Sequence, residues 1–222
     1  MLGDVGRVFY QENQMNVVLY GATGKSGIRI LAELLSRGHK VTAVARNPIG
    51  LPANVKTVKD DLSDVNKIAA VISGADAVVS AYAPPPDDTD QLLGVTLRQI
   101  EALRKVDKNT RLIVVGGAGS LEVAPGVTIL KSGHLPAEWI PIAASHEKAL
   151  ELLKKSDINW TYFSPAGFFE PGTRTGKFRL DTNKLVADSQ GNSRISMEDY
   201  AIALVDELEK PAHERARFTI GY

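Results

Sequence analysis

No cysteine occurs in the 222 residues, which excludes disulfides, thiolate nucleophiles and cysteine-ligated zinc together and fits an intracellular chain. Net charge is lacking as well: 26 Lys and Arg balance 26 Asp and Glu. No global field therefore draws nucleic acid or an anionic membrane, and neither is an expected partner. No apolar run approaches the roughly 18 residues of a membrane span, and Met1 to Gln14 lacks the apolar stretch of a signal peptide. A cytoplasmic location is the expectation. His39, His134, His146 and His213 lie far apart with no ligand-spaced pair, so no metal site is expected. The hydrolase elbow is missing too, because Ala118 stands where Gly is needed before Gly119-Ser120, and Glu122 replaces the glycine that should follow. What is present, 44% apolar and 23% charged residues, is the composition of a globular chain with enough length to bury a core.

Met1 to Gln14 is polar and without periodicity, and a second methionine, Met15, precedes the first convincing strand. Residues 1–14 are expected to be a disordered extension, and 15–222 the folded domain. From there apolar runs of strand length alternate with amphipathic stretches, as in repeated βα units around a parallel sheet buried on both faces. Strands are expected at Val17–Tyr20, Val41–Ala45, Val55–Val58, Ala77–Ala81 and Leu112–Val115, and later at Trp160–Ser164 and Phe218–Ile220. Helices are expected around Ile68–Ile72, Leu92–Val106, Ser145–Lys155 and Met197–Leu208. A first helix after Gly27 should turn Ile28, Leu31, Leu34 and Leu35 inward and end at Gly38. Ligands of such sheets bind beyond the carboxyl ends of the strands.

Gly21-Ala22-Thr23-Gly24-Lys25-Ser26-Gly27 follows the first strand and opens the first helix. Glycines at its first, fourth and seventh positions permit a tight turn, close approach of backbone to a pyrophosphate, and close packing of helix on strand. The helix N-terminus adds unpaired N–H donors. This pattern predicts a dinucleotide site on a Rossmann-type, doubly wound parallel sheet in three α/β/α layers, with a small C-terminal portion on the substrate side. It is not a triphosphate P-loop: the glycine required five positions before Gly24 is Leu19, inside the strand. The second strand ends Val44-Ala45-Arg46-Asn47, with no acid between Glu33 and Asp60 to accept a ribose 2'-hydroxyl. Arg46 can instead fork onto a 2'-phosphate, so NADP is expected over NAD. In Asp60-Asp61-Leu62, after the third strand, a carboxylate can accept from the adenine amino group and a backbone N–H can meet a ring nitrogen; Asp61 could equally cap the next helix.

These segments, with Val44-Ala-Arg-Asn-Pro48, Asp61-Leu62, Val78-Val-Ser-Ala-Tyr82, Val114-Val-Gly-Gly-Ala-Gly-Ser-Leu121, Ser164-Pro-Ala166, Phe168-Phe-Glu-Pro171 and Ser193-Arg-Ile-Ser-Met-Glu-Asp-Tyr200, resemble the atypical short-chain dehydrogenase/reductases of the NAD(P)H-binding, NmrA-like group. The likeness is greatest to its NADH-flavin reductases, which are similar to biliverdin reductase B. The resemblance implies that Ser80, Ala81 and Tyr82 line the cofactor ribose, that Gly116 and Gly117 border the cofactor, and that Pro165 and Ala166 present backbone to the nicotinamide amide. One departure bears on chemistry. Ketone-reducing relatives place a Tyr four residues before a Lys, to protonate an alkoxide, whereas here Ala144 precedes Lys148. Ser120, His146 and Lys148 are then the candidate catalytic side chains, His146 as a proton donor.

A flavin, quinone or bilin delocalises the charge of an incoming hydride and needs no such acid. Tyr82, Trp139, Phe168 and Phe169 are candidates to stack on it. The sequence therefore reads as an NAD(P)H-dependent oxidoreductase acting on a planar conjugated acceptor, working as a monomer or homodimer. The alternative is a redox-sensing regulator of the NmrA type that binds NADP(H) without turnover.

Overall fold

A computed structural model describes residues 14–222; the expected extension at 1–14 lies, apart from Gln14, outside the described residues. The chain builds β1 (Asn16–Tyr20), α1 (Lys25–Ser36), β2 (Lys40–Ala45), β3 (Lys56–Lys59), α2 (Val65–Ile72), β4 (Ala77–Ser80), α3 (Gln91–Val106) and β5 (Arg111–Val115). A short hairpin follows, β6 (Glu122–Ala124) with β7 (Val127–Thr128), then a 3-10 turn at Ala137–Trp139, α4 (Ile140–Lys154) and β8 (Trp160–Ser164). The last elements are β9 (Phe168–Glu170), β10 (Arg179–Asp181), β11 (Arg194–Ser196), α5 (Met197–Glu209) and β12 (Ala216–Gly221).

Eight strands form one sheet in the order β10-β12-β8-β5-β4-β1-β2-β3, parallel throughout except for the antiparallel edge strand β10. Strands covered on both faces read as continuous apolar runs, and β4, β5 and β8 are buried at every residue. Side chains alternate between two cores. Val17 and Leu19 of β1 point into a core shared with α1 and α5, while Val18 and Tyr20 point into one shared with α2, α3 and α4. The C-terminal segment adds the small two-stranded sheet of β9 and β11 and a column of rings, in which Phe163 stacks between Tyr200 and Phe218 at centroid distances of 4.0 and 3.9 Å.

Two expectations are corrected. Ile28 is exposed and Ile30 takes the inward place with Leu31 and Leu34. Gly27 must face the turn it packs against, which fixes the rotation of α1 and carries Ile28 about 100° away. Helix α4 starts at Ile140, five residues before the expected Ser145, because Pro141 occupies its first turn, where no N–H is needed.

Candidate functional site

Strand order reverses between β1 and β4, the point at which open α/β sheets leave a crevice. There β1 runs into Gly21, whose φ is +75°. A Cβ at Gly21 would lie 2.3 Å from the Ala81 carbonyl oxygen, and one at Gly27 only 2.0 Å from the Gly21 carbonyl oxygen. Both positions therefore exclude any side chain. The Gly24 N–H donates to the Gly21 carbonyl at 2.9 Å and closes the turn. As the residue preceding α1, Gly24 supplies no capping side chain, so the first-turn N–H groups of Lys25, Ser26 and Gly27 have no acceptor inside the helix. Ala22 is fully buried beneath them.

Beside this turn lies a cavity of about 350 Å³. Gly21, Thr23 and Gly24 wall it from β1, Arg46 and Asn47 from β2, Asp61 and Leu62 from β3, and Ala81 and Tyr82 from β4. Eight of the expected cofactor-binding residues are thus brought around one space. Ser80 is buried at the end of β4. Gly116 and Gly117, after β5, and Pro165 and Ala166, after β8, stand at neighbouring strand ends and do not line it. The glycine pair is required by packing: Cβ atoms there would lie 2.3 Å from Tyr162 Cε1 and 2.8 Å from His146 Cγ.

The β3 corner differs from expectation. The Leu62 N–H, a natural partner for a ring nitrogen, donates instead to Asp60 Oδ1 at 3.1 Å. Asp61 does not cap α2; Asp64 does, accepting from Asn66 N–H at 2.8 Å. Asp61 Oδ1 accepts from the Ser63 N–H and hydroxyl at 3.0 and 2.6 Å. Asp60 Oδ2 and the Tyr20 hydroxyl are buried without partners, and both residues line the same cavity. Burial, and then the Asp60 charge, push the Tyr20 phenol well above its ordinary value. Tyr20 reads in the sequence only as a strand residue, and Arg98, whose Nε donates to the Leu62 carbonyl at 2.5 Å, carries no sequence signal beyond its place on α3.

Each of the three candidate catalytic side chains has a different partner. Ser120 accepts from Arg217 Nη1 at 2.9 Å through its Oγ and also through its carbonyl. Lys148 is exposed and lies 3.4 Å from Asp90 on the far side of α4. His146 packs on Gly117, with Nδ1 3.1 Å from the Tyr162 hydroxyl, which also accepts from the Gly117 N–H at 3.0 Å. Burial pushes His146 down to about 4, so the expected proton donor is neutral at working pH. Among the aromatic candidates, Trp139 and Phe168 are exposed and meet edge to face at 6.4 Å. Phe169, half-buried, packs on Tyr200 at 4.7 Å against the core, while Tyr82 borders the cavity beside the glycine turn.

A glycine turn with these close approaches, at the crossover of a parallel sheet, defines a dinucleotide-binding protein of the Rossmann type. The chain belongs to the NAD(P)H-binding family, whose model matches residues 21–211. YwnB of Bacillus subtilis is 39% identical over 211 residues, covering 93% of this chain and 98% of YwnB. A solved Bacteroides thetaiotaomicron structure, provisionally named an epimerase, is 42% identical, with 94% and 97% of the two chains covered and a TM-score of 0.87. A Streptococcus pneumoniae structure, provisionally named an NADH-flavin reductase, is 34% identical, with 93% and 99% covered and a TM-score of 0.86. Among the described residues no cluster of His, Cys, Asp or Glu could hold a metal ion, and no helix is long and apolar enough to cross a membrane.

Proposed function

We propose that the protein is an NAD(P)H-dependent reductase, with NADPH preferred, that passes hydride to a planar conjugated acceptor: a flavin, a quinone or a bilin. The observation that carries this reading is the turn in which side chains at 21 and 27 are forbidden by contacts of 2.3 and 2.0 Å beside a cavity walled by Arg46 and Asp61. Such a cradle suits a pyrophosphate, with Arg46 at the 2'-phosphate and Asp61 at the adenine. Ser80, Ala81 and Tyr82 border the ribose, and Gly116, Gly117, Pro165 and Ala166 carry the site toward the nicotinamide.

When bound, the reduced coenzyme supplies a hydride. The protein's own part is to hold two flat ring systems in register, with Trp139 and Phe168 offering exposed faces to the acceptor. No buried acid is required, because a conjugated acceptor takes its proton from water. That agrees with Ala144 in place of a tyrosine and with a neutral His146. The name given to the Streptococcus pneumoniae relative supports a flavin as acceptor. Steady-state assays of NADPH and NADH with FMN, menadione and biliverdin test the proposal. Acceptor-dependent oxidation faster with NADPH is expected. Tight NADP(H) binding with no turnover on any acceptor would favour the redox-sensing regulator, and no calorimetric heat with either coenzyme would remove both readings.

A further inference from the structure

Leu62 has φ +64° and is, with Arg215, one of two non-glycine residues in the left-handed region among the described residues. It is 4% exposed, and a bulky side chain holds that conformation only where its surroundings impose it. Here both ends of the residue are gripped by charged groups. The N–H donates to Asp60 Oδ1 at 3.1 Å, and the carbonyl accepts from Arg98 Nε at 2.5 Å. The grip is built in from two elements. The Asp60 side chain is wholly buried, with Lys67 Nζ 3.5 Å from its Oδ1. Arg98 lies along α3 over Gly94, where a Cβ would come within 3.2 Å of its Nη1.

We propose that Arg98, with Asp60, is a positioning residue: it holds Leu62 left-handed and thereby sets the corner of the cavity that receives the adenine end of the coenzyme. The inference rests on the nucleotide reading above. Release of the carbonyl lets Leu62 relax toward ordinary backbone angles, and that rotation swings the Asp61–Ser63 turn, whose Asp61 walls the cavity. The arginine touches the base only through this backbone, so its effect falls on one half of the coenzyme and depends on residue 62 carrying a Cβ.

The test is competition of ADP and of nicotinamide mononucleotide against NADPH, on purified full-length protein with its thermal midpoint recorded. Arg98→Met is expected to weaken ADP about tenfold, the effect of losing one charge-assisted hydrogen bond, and to leave the mononucleotide within about twofold. Arg98→Lys, which keeps a cationic donor, should restore part of the loss. In a Leu62→Gly background, where glycine takes the left-handed angles unaided, Arg98→Met should change ADP binding by less than about twofold. Equal weakening of both halves, no weakening of either, or the same loss in the glycine background would overturn the proposal. Wild-type protein that binds neither NADPH nor ADP would instead overturn the nucleotide reading beneath it.

Discussion

At the scale of single residues, the site is defined by atoms that cannot be added. Gly27→Ala places a methyl 2.0 Å from a backbone oxygen, which no rotamer relieves, so the turn or the helix must shift. An overpacking cost of about 1–3 kcal/mol, expressed in the cradle, weakens coenzyme binding by roughly ten- to hundredfold; calorimetry with NADPH on folded variant checks it. Arg46→Ala should raise the KM for NADPH by about tenfold or more, the loss of a charge-assisted fork, and change that for NADH far less. Equal effects on the two coenzymes would remove Arg46 from the phosphate. His146 gives a prediction of different sign. Its folded value of about 4 lies below the roughly 6.5 of an unfolded histidine, so between these limits the unfolded chain binds the extra proton. Stability is therefore whole above pH 6.5 and declines as pH falls toward 4, by about 2–3 kcal/mol at pH 4.5. In His146→Gln that part of the acid loss should vanish, as read from denaturant midpoints at pH 7 and 4.5; an unchanged difference would mean that the ring is not desolvated.

Elements differ in how plainly the sequence announces them. The inner strands β1, β2, β4, β5 and β8 were legible because they are largely covered on both faces, leaving mostly apolar runs that stand out within a residue of their ends. The glycine turn was legible because covalent geometry, and not context, makes its residues necessary. What the chain hides are contacts made across long separations. Nothing near Arg111 in sequence marks it for burial, yet it sits on β5 bonded to Thr161 of β8 and ion-paired to Glu207 of α5. Burial raises the Glu207 carboxyl, but His213 and Arg111 outweigh it and hold the group below its ordinary range. Arg111→Met leaves that carboxylate with His213 and the Ala212 and His213 N–H groups as its donors, and a loss of about 1.5–3 kcal/mol in urea unfolding is expected. Phe168 and Phe169 show the same limit. As neighbours they read alike, but alternation along β9 sends one outward to Trp139 and the other inward to Tyr200. The partners of the candidate catalytic side chains are hidden for a related reason: α4 turns Lys148 toward Asp90 and His146 toward Gly117, faces that no motif distinguishes.

For the whole molecule, the proposed function divides along the sheet: it assigns the adenine half of the coenzyme to the loops after β1 to β4, whose residues wall the cavity, the nicotinamide to the loops after β5 and β8, and the acceptor to the exposed Phe168 and Trp139. From β2, which Arg46 follows, the sheet runs β2-β1-β4-β5-β8, four strand spacings or about 19 Å. Perturbations at that range without shared partners add to within about 0.5 kcal/mol. Phe168→Ala should therefore raise the KM for FMN with little change in that for NADPH, Arg46→Ala should do the reverse, and the double variant should show the product of the two effects on kcat/KM. In that proposal the two sites meet through the reacting rings they hold. A double variant departing from that product by more than about threefold, beyond the error allowed for distant sites, would mean that Phe168 and Arg46 act on the same ligand, and the acceptor would have to be sought on the coenzyme's own side of the sheet.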